Sequence, residues 1–406
     1  MHPRNLSIED FSYDLPPEKI AILPASPRDA SRLLVYRHGE ITGGIYRHLD
    51  HFLPENSLLI FNDTRVIKSR ILFEKSEGVF IELFCLEPFE KFSDYDRLFQ
   101  QTDCILWKCM IGKARKWKES ELSKKITVGG IELTLTASLF KRLPDAYVIR
   151  FSWTPGRFSF GEVINAAGAT PLPPYIKRPA DKTDEINYQT VYSAHDGSVA
   201  APTAGLHFTK AMLHAFQEKG IPSLFTTLHV GAGTFKPVKS PTMEGHLMHA
   251  EWQNITLSFL EDLLNNLGRK IISVGTTATR TLESIYWMGN KILNTDHRSA
   301  AELKISQWEV YDPQPLHSPA EAITALIEHI KATGRDHLLA ETEIIIAPGY
   351  RYQMIQGLVT NFHQPKSTLL LLVAALIGED WKKVYDHALS HEFRFLSYGD
   401  GCLLLP

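Results

Sequence analysis

Residues 271–287 read Ile-Ile-Ser-Val-Gly-Thr-Thr-Ala-Thr-Arg-Thr-Leu-Glu-Ser-Ile-Tyr-Trp. Four residues suited to a strand run into Gly275 and then into a stretch with helical spacing, which makes this a strand-to-helix turn. The first amides of such a helix, with the hydroxyls of Thr276 and Thr277, attract an anion or the polar edge of a nucleoside. Arg280 and Glu283 lie one turn apart and can pair on the helix surface. Outward from this segment, strands and helices alternate: 222–230 as strand, 255–267 as helix, and 320–330 as a helix carrying Ala322, Ile323, Leu326, Ile327 and Ile330 on one face. That alternation predicts an α/β domain, a mostly parallel sheet with helices on both faces.

A second turn of the same kind is Asn361-Phe362-His363-Gln364-Pro365-Lys366-Ser367-Thr368, directly ahead of the apolar run 369–377. Ser367 or Thr368 can cap a helix there, and Lys366 adds positive charge to its start, a setting for a carboxylate or phosphate. Near the N-terminus, the apolar runs 33–36 and 58–61 read as strands. The second ends in Asn62-Asp63-Thr64-Arg65, polar groups at the carboxyl end of a strand, where open α/β sheets build ligand sites.

Between residues 70 and 151 the texture changes to short apolar segments (81–86, 104–111, 131–136, 146–151) separated by charged or Gly/Pro turns, which predicts an inserted small β-barrel. The domain boundaries expected are 1–69 and 156–406 for the two parts of the α/β domain and 70–155 for the insert. Within the insert, Lys108, Lys113, Arg115, Lys116, Lys118, Lys124 and Lys125 face only Glu119 and Glu121, with Trp107 and Trp117 interleaved. A basic, aromatic-bearing β surface suits phosphate neutralisation and base stacking, and Lys113, Arg115, Lys116 and Lys118 are the expected RNA contacts; the alternative is a solvated loop.

The densest polar cluster is Glu244-Gly245-His246-Leu247-Met248-His249-Ala250-Glu251. Its histidines have the spacing of a helical face, and with Glu251 they form a candidate acid/base set. The cluster lacks the H-E-x-x-H pattern and any nearby cysteine, so no metal is expected. Just upstream, His229-Val230-Gly231-Ala232-Gly233 ends a strand, and Gly231 and Gly233 allow close backbone approach to an adenosine or sugar. The third glycine of a dinucleotide fingerprint is missing and Pro237 follows, which argues against a nicotinamide site.

The 406 residues, 44% hydrophobic and 22% charged, exclude wholesale disorder, collagen and a fibrous coil. Lys+Arg 43 against Asp+Glu 46 leaves a net charge of -3, so RNA contact requires a local basic face. The proline-bearing, charged N-terminus lacks the apolar core of an export signal, so none is expected, and the apolar run 369–377 is too short to span a membrane. Cys85, Cys104, Cys109 and Cys402 contain no C-x-x-C pair and make no disulfide framework, so a cytoplasmic location is expected.

Taken in order, the blocks YDLPPEKIA (13–21), RDASRLLV (28–35), FNDTRVI (61–67), PLPPYIKRP (171–179), YQTVY (188–192), VAAPTAGLHFT (199–209), LHVGAGTFKPV (228–238), EGHLMHAE (244–251), VGTTATRTLES (274–284), LVTNFHQPKSTLLLLV (358–373) and SYGD (397–400) closely resemble the S-adenosylmethionine:tRNA ribosyltransferase-isomerases of queuosine biosynthesis. The resemblance runs from near one end of the chain to the other. It implies transfer of the ribosyl part of S-adenosylmethionine, as cosubstrate, to 7-aminomethyl-7-deazaguanine at the wobble position of a tRNA. The product is epoxyqueuosine, with release of adenine and methionine, and no bound cofactor or metal is needed. It also implies an α/β domain interrupted by a β-barrel. The chemistry needs a base, a proton donor for adenine and a carboxylate near positive charge. His246, His249 and Glu251 are the first candidates, His207 and His229 the next, and Asp63 and Asp400 are placed to hold ribose hydroxyls or the amine. Arg65, Arg280, Thr276, Thr277, Gly231, Gly233, Asn361, His363, Lys366 and Ser367 complete the expected substrate contacts. Gln364, Thr279 and Gly401-Cys402 stand where the family usually has leucine, valine and Ala-Met. A stretch at about 294–342 is added relative to the common form, with consequences expected only for local surface or oligomer contacts; a monomer is favoured. Two other classes stay open: a metal-dependent hydrolase built on His246, His249 and Glu251, and a non-catalytic RNA-binding module.

Overall fold

The computed structural model describes residues 2–76, 78–89, 95–231, 238, 240–295 and 303–406. Nine strands form the larger sheet, in the spatial order His337–Thr342, Glu251–Thr256, Ser223–His229, Ser57–Asn62, Lys270–Val274, Gly357–Asn361, Gly401–Leu405, Arg32–Arg37 and Glu40–Ile45. Ser223–His229, Ser57–Asn62, Lys270–Val274 and Gly357–Asn361 run parallel to one another, so their carboxyl ends come together at one edge. Gly401–Leu405 then runs antiparallel to Gly357–Asn361, and Arg32–Arg37 is parallel to it. The outer pairings on both sides are antiparallel. The expectation of a mostly parallel sheet is therefore corrected: parallel and antiparallel pairings are equal in number, since a tight hairpin reverses the chain at one margin and longer connections bring strands back antiparallel elsewhere.

Alternation along the strands explains why both faces are covered. Leu34, Tyr36, Leu58, Ile60, Leu358 and Leu404 belong to a core shared with the helices Leu257–Asn265, Thr276–Asn294, Pro319–Ala332, Thr368–Ile377 and Asp380–Ser390. Leu33, Val35, Leu59, Phe61, Val359 and Leu403 point the other way, onto Tyr46, Leu49, Ala204, Phe208, Met212 and Phe216. The added stretch is not confined to the surface, contrary to expectation. Its helix buries Ile323, Leu326 and Ile330 completely or nearly so, and its last strand, His337–Thr342, closes one edge of the sheet. The helix lies so close that a Cβ on Gly289 would sit 2.0 Å from the Ala322 carbonyl oxygen.

After the short strand Thr64–Val66 the chain leaves this sheet and builds a second one, wholly antiparallel, in the order Gly168–Ala169, Arg70–Ser76, Val79–Pro88, Cys104–Gly112, Tyr147–Thr154, Ile131–Arg142 and Glu121–Val128. The sheet curls around Phe73, Trp107, Phe151 and their neighbours, but no ladder joins its first and last strands among the described residues. In place of a closed barrel, the helix Phe160–Ala167 fills the gap with Phe160, Val163, Ile164 and Ala167. Lys124 ties the last strand to that helix by donating to the Ala167 carbonyl at 2.9 Å. Between the two sheets, Tyr95 stacks on His229 with ring centres 4.2 Å apart.

Candidate active site

A cleft with about 740 Å³ of empty space opens at the carboxyl ends of the parallel strands, where ligands bind in open α/β sheets. Two helices begin on it. The first, Thr276–Asn294, starts at Gly275, whose φ of +91° is one an L side chain rarely adopts. No side chain caps this helix among the described residues, so its first amides point toward the cleft lined by Thr276 and Thr277. The second, Thr368–Ile377, is capped by Ser367, which accepts from the Leu370 amide at 3.2 Å and donates to the Gln364 carbonyl at 2.7 Å. Asn361, His363, Gln364 and Ser367 line the same cleft, so both turns singled out in the sequence meet there.

The polar groups around the cleft are held from behind. His207 sits under Asn361 and stacks on Tyr46, ring centres 4.4 Å apart. Its Nε2 accepts from Asn361 Nδ2 at 3.0 Å, while Nδ1 faces Ser31 Oγ at 2.9 Å. The Ser31 hydroxyl donates in turn to the Arg28 carbonyl at 3.0 Å, which fixes the proton on His207 Nδ1. Asn361 Nδ2 also donates to the Leu396 carbonyl at 3.2 Å, so both amide hydrogens are spent and the side chain can turn only an acceptor to a ligand. His363 Nε2 lies 2.9 Å from Thr360 Oγ1, and the His363 backbone is pinned by Tyr385 and Tyr13. Burial pushes His207, His229 and His363 down to about 3, so all three are neutral hydrogen-bonding groups near neutral pH.

The remaining expected residues take several different positions. His229 meets Thr64 Oγ1 at 3.0 Å beside the cleft wall at Val230. Asp63, at the end of its strand, accepts from Thr227 Oγ1 at 2.7 Å, with His195 Nε2 4.0 Å away. Arg65 is directed elsewhere: it donates to the Ser193 carbonyl at 2.8 Å and lines a second cleft between the sheets with Lys68, Gln189 and Asp196. Asp400 is fully engaged as a support, accepting from the Arg32 amide at 3.0 Å and the Arg394 amide at 2.8 Å, with the Arg394 guanidinium at 3.2 Å. Those bonds tie the start of one strand to the loop before another. Lys366 turns to the surface and pairs with Glu9 at 2.7 Å.

The histidine cluster is corrected in shape. Residues 243–245 form a 3-10 turn, 246–250 are irregular, and Glu251 opens a strand, so no helical face carries the histidines. His249 is exposed; His246 is half-buried and lowered by burial and by the neighbouring His249. Glu251 turns to Arg280, forming a buried ion pair, and Arg280 Nε donates to the Ile344 carbonyl at 3.2 Å. Arg280 therefore does not pair with Glu283. Glu283 is wholly buried and accepts from the amides of Gln353, Met354 and Ile355 and from the Tyr350 hydroxyl. Among the described residues no three His, Cys, Asp or Glu side chains are grouped to hold a metal ion. Gly231 has open space around it; Gly233 lies outside the described residues.

Sequence reasoning assigned no role to Tyr175, Thr203, Thr360 or Ser397, all of which line the cleft. Tyr175 and Ser397 share a hydrogen bond of 2.5 Å. Both stand in blocks quoted above, PLPPYIKRP and SYGD, and their polar side chains amid apolar and proline residues were the available signal. Of the basic run, Lys113, Arg115, Lys116 and Lys118 are exposed and form no ion pair among the described residues. Trp107 is fully buried, which removes it from base stacking, and Trp117 is partly buried against the same core.

Residues 8–404 match the model of a family described as queuosine biosynthesis protein. The chain belongs to this family. Among curated relatives, it is 36% identical to the S-adenosylmethionine:tRNA ribosyltransferase-isomerase of Novosphingobium aromaticivorans, over 99% of this chain and 100% of that one. It is 35% identical to the protein of the same description from Desulfitobacterium hafniense, covering 98% of this chain and all of the relative. A crystal structure of an S-adenosylmethionine tRNA ribosyltransferase from Thermotoga maritima, 26% identical, aligns over 98% of the chain with a TM-score of 0.46.

Proposed function

We infer that this chain is an S-adenosylmethionine:tRNA ribosyltransferase-isomerase, moving the ribosyl part of S-adenosylmethionine onto 7-aminomethyl-7-deazaguanine in tRNA. Epoxyqueuosine forms, and adenine and methionine leave. The observation that carries this reading, beyond family membership, is the cleft on which two helix starts converge with Thr276, Thr277, Asn361 and Ser367. One substrate portion is anionic, the methionine carboxylate, and helix starts favour it. Another is a donor-bearing base or amine, and Asn361, with its amide hydrogens committed to His207 and Leu396, offers only acceptance.

The chemistry requires a proton to leave the carbon beside the sulfonium and a proton to reach adenine. His207, His229 and His363, neutral and buried, serve to position neighbours. His249, exposed and next to His246, remains the candidate proton carrier, with Asp63, directly after the end of its strand, as the carboxylate. Lys113, Arg115, Lys116 and Lys118 are the tRNA contacts in this reading, and no helix among the described residues is long and apolar enough to cross a membrane, which suits work on tRNA in the cytoplasm. The test is adenine release from S-adenosylmethionine with modified tRNA present. Wild type should release it, and Asn361→Ala should lose at least ~10-fold in rate, as loss of a substrate hydrogen bond predicts. Unchanged release by Asn361→Ala would place the cosubstrate outside this cleft.

A further inference from the structure

Resting on the reading that the substrate is a tRNA, we propose that the outer face of the insert binds its unpaired nucleotides, bases against Leu72, Phe80 and Met110 and phosphates against the adjoining basic turn. Alternation along the three strands Arg70–Ser76, Val79–Pro88 and Cys104–Gly112 sends Ile71, Phe73, Ile81, Leu83, Trp107 and Cys109 inward and their neighbours outward. Leu72, Phe80 and Met110 are left 47%, 42% and 45% exposed. The register joins them into one surface: Arg70 faces Phe84, which faces Met110, while Leu72 faces Glu82, which faces Gly112. The acid in the middle is neutralised, since Glu82 pairs with Arg70, whose guanidinium also lies 4.4 Å from the Phe84 ring centre. Glu74, opposite Phe80, is the remaining acid of these rows.

From Gly112, which the register sets opposite Glu82, two residues from Phe80, the chain passes directly into Lys113, whose φ of +57° starts the turn Ala114–Lys116. Lys75 holds that turn against the strand by donating to the Lys116 carbonyl at 2.9 Å, and it pairs with Glu119 at 2.7 Å. Glu119 is thereby engaged, and Lys113, Arg115, Lys116 and Lys118 stay exposed to meet a polyanion. Exposed apolar side chains alone would suit another protein surface; beside four exposed cations that form no ion pair among the described residues, they suit a nucleic acid. Unpaired RNA is specified because a paired helix keeps its bases stacked inside and offers mainly phosphates and 2′-hydroxyls.

Binding of the full chain to tRNA and to a paired RNA hairpin, each across a range of salt, tests this. Phe80→Ala with Met110→Ala should weaken tRNA binding about 10-fold, with an unchanged salt slope and unchanged hairpin binding. Phe80→Tyr, which keeps a ring, should bind tRNA as wild type does. Two results would overturn the proposal: tRNA affinity of the double variant equal to wild type, or a wild-type dimer that the double variant dissociates, which would make the face a contact between copies. If wild type itself bound no tRNA, the parent reading would fall and this proposal with it, an outcome distinguishable from failure of the double variant alone.

Discussion

At the residue scale, the polar side chains divide into those that face the cleft and those that hold them. Asp400 belongs to the second kind, since both its oxygens accept backbone amides and it is almost completely buried. Asp400→Ala should cost about 3 kcal/mol, the usual consequence of leaving buried donors unpaired beside a cation. Urea unfolding checks this, and a loss under 1 kcal/mol (about the value of an exposed pair) would remove its structural role. His249 is the opposite case. Being exposed, it contributes little to packing, so His249→Ala should abolish epoxyqueuosine formation without moving the thermal midpoint; near-wild-type turnover would end its catalytic assignment. The side-chain types at these positions were legible in the sequence, but their direction was not. Glu251 and Arg280 lie 29 positions apart, and nothing local announces that they pair.

Among the elements, the two strand-to-helix turns were readable because glycine, threonine and serine have specific work at helix starts. Ser367→Ala should destabilise by about 1 kcal/mol, as loss of an N-cap does, and should also raise the S-adenosylmethionine concentration needed for half-maximal rate. Loss of stability with no change in that concentration would reduce Ser367 to a cap. Lys366, read from sequence as part of the same anion site, pairs on the surface with Glu9, and the residue that reached it came from the other end of the chain. The histidine cluster was misread as a helical face because a spacing of three fits a helix, whereas both histidines lie in an irregular stretch between a 3-10 turn and a strand. Trp107 illustrates the same limit. Its place among basic residues suggested an exposed ring, whereas strand alternation sends it into the core.

Over the whole molecule, the α/β body with an inserted β sheet was legible from the change in texture near residue 70, while the mixed direction of the large sheet was not. Direction depends on which strands become neighbours, and Gly357–Asn361 meets Gly401–Leu405 and Lys270–Val274 through contacts that no single segment encodes. Stability as a function of pH is a property of the entire fold. His207, His229 and His363 are held near 3 in the folded state against about 6.5 when unfolded, so below pH ~6.5 the unfolded chain takes up protons first. Their contribution is complete above pH ~6.5 and is lost as pH falls toward 3. The thermal midpoint should therefore drop between pH 7 and about 5, and His229→Phe should show a shallower drop; parallel curves would contradict this. The central claim is the reaction itself. Incubation with S-adenosylmethionine and tRNA bearing 7-aminomethyl-7-deazaguanine, followed by nucleoside mass analysis, should show that base converted to epoxyqueuosine with adenine and methionine released in equal amounts. An unchanged nucleoside with no adenine released, from protein that binds both substrates, would contradict the account.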